Sequence, residues 1–170
     1  KKIIGTAKKS KDEKTIADGL EDIISNRMAE LTAYQNAAYA NRYRDLVEKV
    51  RAAEKKIFPN GQDLTKAVAR YYFKLLAYKD EYEVARLLLT SEEKARAEFD
   101  GELKMTYHLA PPMLGGKGPD GRPKKREFGE WMGGPLKMLA RMKGLRGTPL
   151  DPFGYTAERR MERALIRQYE

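Results

Sequence analysis

The sequence predicts a mainly α fold: an antiparallel helical bundle with a small β-hairpin or β arm near residues 102–128. Three observations lead there. Apolar residues recur at steps of three and four through most of the first hundred positions, the spacing of one helix face. One stretch, Leu103 to Leu109, alternates apolar with polar side chains, the period of a half-buried strand. Clusters of Gly, Pro and Asn separate the periodic segments.

The first helical pattern spans about Thr15 to Ile57, through Ile16, Leu20, Ile23 and Ile24, then Tyr39, Tyr43, Leu46 and Val50. A straight helix of that length would reach about 60 Å, so a kink or a break near Gly19 or Asn36 is expected, giving one long helix or two in series. Phe58-Pro59-Asn60-Gly61 ends it, with an Asn-Gly pair suited to positive φ. Asp63 then stands as N-cap of a helix whose Leu64, Val68, Tyr72 and Leu76 share a face. A third helix follows from Tyr78 to about Thr90, with Ser91 capping a short fourth that closes at Phe99.

After Asp100-Gly101, Met105, Tyr107 and Leu109 alternate with Lys104, Thr106 and His108 as one strand, and Pro111-Pro112 ends it. Gly115 to Pro123 is a loop by composition, and Lys124 to Phe128 returns as a partner strand. Trp131 to Lys143 forms another helix, with Leu136, Met138, Leu139 and Met142 available for burial and Gly133, Gly134 and Pro135 accepted in its first turn. Thr156 caps a last helix with Met161, Ala164, Leu165 and Tyr169 on one side. Residues 1–14 read as a basic flexible segment and 15–170 as a single mainly helical domain: a hairpin array (15–100), a strand and Gly/Pro loop (101–130) and C-terminal helices (131–170).

At 170 residues the chain can bury one core, and 35% charged residues make a heavily solvated surface. No apolar run approaches the roughly 20 residues that cross a bilayer, so no membrane partner is expected and the cytoplasm is the default compartment. The absence of cysteine excludes disulfides, thiolate nucleophiles and cysteine-held clusters within this segment. The chain opens on Lys1 rather than Met, which suits a fragment of a longer protein. Net charge is +9, unevenly spread: 20 basic and 18 acidic residues up to Leu103, then 14 basic and 7 acidic from Lys104 on. The excess therefore sits in the second part, at +7.

No catalytic or metal-binding residue is assigned. His108 is the one histidine, and in an alternating strand it reads as a surface or packing residue rather than a base. Adjacent acid pairs such as Asp80/Glu81 diverge on a helix and read as solvated faces or first-turn charges. The glycines of 115–121 are followed by Pro123 instead of a helix, unlike a phosphate loop. The basic residues carry more information. Lys117, Arg122, Lys124, Lys125 and Arg126, with His108 and Trp131 nearby and Lys137, Arg141, Lys143 and Arg146 beyond, form a candidate docking surface for phosphates or acidic groups. The plainer reading, preferred from sequence, is a solvated loop and a helix face that balance acids elsewhere in a larger assembly.

Five stretches together resemble the C-terminal region of the large single-chain indolepyruvate ferredoxin oxidoreductases, in the 2-oxoacid:ferredoxin oxidoreductase family. They are AYQNAAYANRY (Ala33 to Tyr43), LAYKDEYEVARL (Leu76 to Leu87), HLAPP (His108 to Pro112), GRPKKREFG (Gly121 to Gly129) and LRGTPLDPFGYTAERRME (Leu145 to Glu162). The resemblance implies a parent enzyme that oxidatively decarboxylates aryl-pyruvates to acyl-CoA. Its thiamine diphosphate, magnesium and iron–sulfur clusters would lie in other parts of that protein, leaving no cofactor in this segment. The chain lacks the Gly-Asp-Gly to Asn segment that holds the diphosphate, and no catalytic residue carries over. On this basis it is an accessory domain that serves packing, assembly or docking. Its partners are the other domains of the parent, with ferredoxin or coenzyme A as candidates for the basic surface. The alternatives are an independent nucleic-acid-binding helical module and a plain protein-interaction scaffold.

Overall fold

The computed structural model describes residues 19–101, 103–110, 116 and 124–170. The basic segment expected over 1–14, and the loop between the strands apart from Ala110, Gly116, Lys124 and Lys125, lie outside these. The described residues hold six α-helices and a two-stranded antiparallel sheet, as the periodicity predicted. They fall into two compact units, one from residues up to Ala77 together with Met161–Glu170, the other from Tyr78–Arg160.

In the first unit, α1 (Leu20–Tyr34), α2 (Ala37–Ile57) and α3 (Asp63–Leu76) pack pairwise. The expected break falls at Asn36, whose side-chain oxygen accepts a hydrogen bond from Tyr39 N at 2.9 Å and so starts α2. Leu20, Ile23, Ile24 and Leu31 of α1, Tyr43 and Val47 of α2 and Ala69, Tyr72 and Leu76 of α3 are the residues these packed helices bury. Tyr34, Tyr43 and Tyr72 are core residues, Tyr39 is half-buried, and Tyr71 is exposed. Tyr43 donates to Ala69 O at 3.0 Å and Tyr39 to Leu76 O at 3.0 Å.

Two local expectations fail at the α2–α3 turn. Asp63 is the first helical residue rather than the cap, and the carboxylate of Glu54 takes the capping role from α2. It accepts from Leu64 N (2.9 Å), Thr65 N (2.9 Å) and the Thr65 hydroxyl (2.5 Å). The hydroxyl bond, with the two amides, holds the Glu54 carboxyl below its ordinary range. Gly61 does not adopt positive φ; it is required by space, since a Cβ there would lie 2.9 Å from Phe58 Cβ.

In the second unit, α4 (Glu81–Glu98) is one continuous helix, against the two expected. Thr90 and Ser91 donate back to Arg86 O (3.1 Å) and Leu87 O (2.9 Å), so Ser91 lies within the helix instead of capping a new one. β1 (Tyr107–Leu109) pairs with β2 (Arg126–Phe128) in the register Tyr107↔Phe128, His108↔Glu127, Leu109↔Arg126. The first strand is shorter than its alternation because Met105 N donates to the Glu130 carboxylate at 3.2 Å and not to a strand.

A 3-10 turn (Glu130–Met132) runs into α5 (Gly133–Arg141), a second 3-10 turn (Met142–Leu145) follows, and α6 spans Ala157–Tyr169. Tyr107, Ala85 and Leu136 form the centre of this unit, with Leu88, Leu109, Phe128 and Leu139 packed on them. Met138 departs from its expected burial at 66% exposed. On α6, Thr156 caps as expected, accepting from Arg159 N at 3.3 Å. Met161, Leu165 and Tyr169, however, are exposed, and Ile166 is the residue buried.

Candidate functional site

The strand pairing decides which of the candidate residues share the arm. Alternation turns Tyr107 inward and leaves His108 exposed between Tyr107 and Leu109. The register sets His108 opposite Glu127, with Nδ1 3.9 Å from Glu127 Oε1. Lys124 and Lys125 precede β2 and Arg126 begins it; all three are exposed, and Lys124 N donates to Gly116 O at 3.0 Å. Trp131, 67% exposed, meets Phe128 edge-on with ring centroids 6.0 Å apart. His108, Lys124, Lys125, Arg126 and Trp131 thus belong to one arm and its base. Lys117 and Arg122 lie outside the described residues.

Arg146 leaves the basic surface altogether. Its side chain is 4% exposed and forms a two-pronged ion pair with Asp80, whose side chain is 2% exposed; the Nη2 to Oδ1 distance is 2.9 Å. Asp80 Oδ1 also accepts from Glu83 N at 2.9 Å, capping α4. Asp151 organises the neighbouring turn: Tyr82 OH (3.0 Å) and Phe153 N (3.1 Å) donate to Oδ1, and Gly147 N (2.8 Å) to Oδ2. Gly147 has φ +73°, a conformation that favours glycine. Burial, with Asp151 adding to it, pushes the Tyr82 hydroxyl above its ordinary pKa. The Leu145 to Tyr155 stretch is therefore spent on a buried polar network that no spacing in the sequence announces, since Asp80 and Arg146 are 66 residues apart.

One other polar cluster is equally committed. The Tyr107 hydroxyl, pushed up to about 12 by burial and by Glu92, donates to Glu92 Oε2 at 2.5 Å, and Arg96 holds the other oxygen. Glu81 differs: burial raises its carboxyl, and its buried Oε2 lies 3.9 Å from Arg159 Nε without a hydrogen bond. In the first unit, a groove of 660 Å³ at the α2–α3 turn is lined mainly by Ile57, Phe58, Pro59 and Leu64 beside Glu54. Among the described residues no group of three or more His, Asp or Glu is placed to hold a metal ion, and no helix is long and apolar enough to cross a membrane.

A family model described as a family of unknown function, DUF6537, matches residues 20–170. No curated protein and no solved structure matches the chain.

Proposed function

This chain belongs to the DUF6537 family, whose function is unknown, and we propose that it is a cytoplasmic, non-catalytic accessory domain of an aryl-pyruvate ferredoxin oxidoreductase, with its basic β arm as a docking surface. On this reading the thiamine diphosphate, magnesium and iron–sulfur clusters are carried by other parts of the parent enzyme. The partner of the arm is an acidic electron carrier such as ferredoxin, or the phosphates of coenzyme A. The five motifs from Ala33 to Glu162 support the parentage.

The observation that carries the docking role is the strand pairing. It sets Lys124, Lys125 and Arg126 beside and at the start of β2 on an exposed arm, with His108 and its partner Glu127 on the face opposite Arg126 and with Trp131 against Phe128 at the base. Exposed charges of this kind act mainly on encounter rate and are screened by salt.

The test reverses Lys124, Lys125 and Arg126 to Glu in the parent enzyme and follows kcat/KM for ferredoxin and for coenzyme A from about 20 to 300 mM salt. One of the two should fall severalfold at low salt, and the difference should close as ionic strength rises. Unchanged kinetics at every salt concentration would remove the arm as a docking surface. A salt-sensitive mobility shift of mixed-sequence DNA or RNA, abolished by the same reversal, would favour a nucleic-acid partner instead.

A further inference from the structure

The helical stretch that follows the arm is apolar on two sides, and within its own unit only one of them is covered. Leu136 is 4% exposed and packs with Met132, Leu139 and Ala140 on Ala85 and Tyr107. At steps of three and four on another side lie Trp131, Gly134, Pro135 and Met138, all exposed, the Trp at 67% and the Met at 66%. A Cβ built on Gly134 meets nothing within 4 Å, so the ridge is open between its two large side chains. Trp and Met are enriched in interface centres. Beside them Lys137 and Arg141, both exposed, are four residues apart, about 6 Å along the axis. The ridge continues into the arm through the Phe128–Trp131 contact.

We infer that this ridge is an interaction surface for an acidic amphipathic helix of a partner protein. Apolar side chains of that helix would cover Trp131 and Met138, and carboxylates one turn apart would face Lys137 and Arg141. The inference rests on the docking role proposed above and names the chemistry of the partner. Charge complementarity favours it: the exposed cations Lys137 and Arg141 stand one turn apart beside the apolar ridge. A second copy would bring two such surfaces of like charge together. A nucleic-acid strand would find one aromatic ring on the ridge, followed by a proline and a methionine, in place of a row of stacking platforms.

Trp131 is the one tryptophan of the chain, so its emission reports on the ridge directly. The probe is a synthetic amphipathic helix of about 18 residues with Leu on one face and Glu on its flanks. Controls are the same peptide scrambled and a single-stranded oligonucleotide. The amphipathic peptide should shift the emission to the blue, the scrambled one should not, and Met138→Glu should weaken binding about tenfold. No shift, or an equal shift with the scrambled peptide or the oligonucleotide, overturns the assignment. If binding of the peptide depends on Lys124, Lys125 and Arg126 but not on Met138, and the emission does not move, the basic arm stands as a docking surface and the ridge does not. Loss of both dependences removes both.

Discussion

Replacing Arg146 by Met takes away the guanidinium that holds the buried carboxylate of Asp80. With Arg146 and Asp80 side chains 4% and 2% exposed, water cannot replace the lost partner, and Asp80 keeps the amide of Glu83. Breaking a buried pair from one side costs about 3–5 kcal/mol, a large share of the roughly 5–15 kcal/mol that stabilises a domain. The expected result is a drop of that size in unfolding free energy, read by urea titration with circular dichroism at neutral pH. The companion variant Arg146→Met/Asp80→Asn separates the pair from the packing. Asn preserves the cap on α4 while removing the stranded charge, so about 1.5–3 kcal/mol should return. If Arg146→Met loses less than about 1 kcal/mol, or if the double variant is no better than the single, the buried pair does not hold this part of the chain as described.

Glu170 offers a pH test. Arg42 holds it through two bonds of 2.6 and 2.8 Å, Tyr72 donates to the same carboxylate, and the Arg42 bond lowers its pKa. A depressed carboxyl stabilises the fold fully above its unfolded pKa, about 4.3, and the contribution disappears as pH falls through the lower folded value. Since both side chains are partly exposed, Glu170→Gln should cost about 0.5–1 kcal/mol at pH 7. The gap to wild type should close on acidification below about pH 4; a gap that widens there refutes the pairing. At the α1–α2 break, Asn36→Ala removes the acceptor for Tyr39 N and should cost about 0.5–2 kcal/mol, with Asn36→Asp near neutral. Equal losses for Ala and Asp, measured by thermal unfolding, would contradict the capping role.

Local patterns were sufficient for much of the fold. The step of three and four marks α1 to α3, Asn36 breaks the first run, Thr156 caps α6, and the alternation around Tyr107 announces the strand with its partner at Lys124 to Phe128. Each of these signals acts within about four residues or along one face, where the chain's own chemistry decides. Patterns failed where a polar side chain had a second use that the sequence did not rank. Glu54 capped α3 in place of Asp63, and Ser91 continued α4 because its hydroxyl bonds back to Leu87 O one turn earlier. The candidate surface divides in the same way. The exposed arm of Lys124, Lys125 and Arg126 could be read from charge clustering and strand period, whereas Arg146, alike in sequence, was drawn inside by Asp80.

What the sequence by itself determined is the helical class, the position of the β arm and the location of the basic excess. These follow from periodicity and composition, which need no knowledge of partners. Which cations remain on the surface and which apolar face of α5 is left uncovered were decided only by the tertiary structure. Burial depends on what meets a side chain across space: Asp80 buries Arg146, Tyr107 and Ala85 bury Leu136, and Met138 is left exposed beside Trp131.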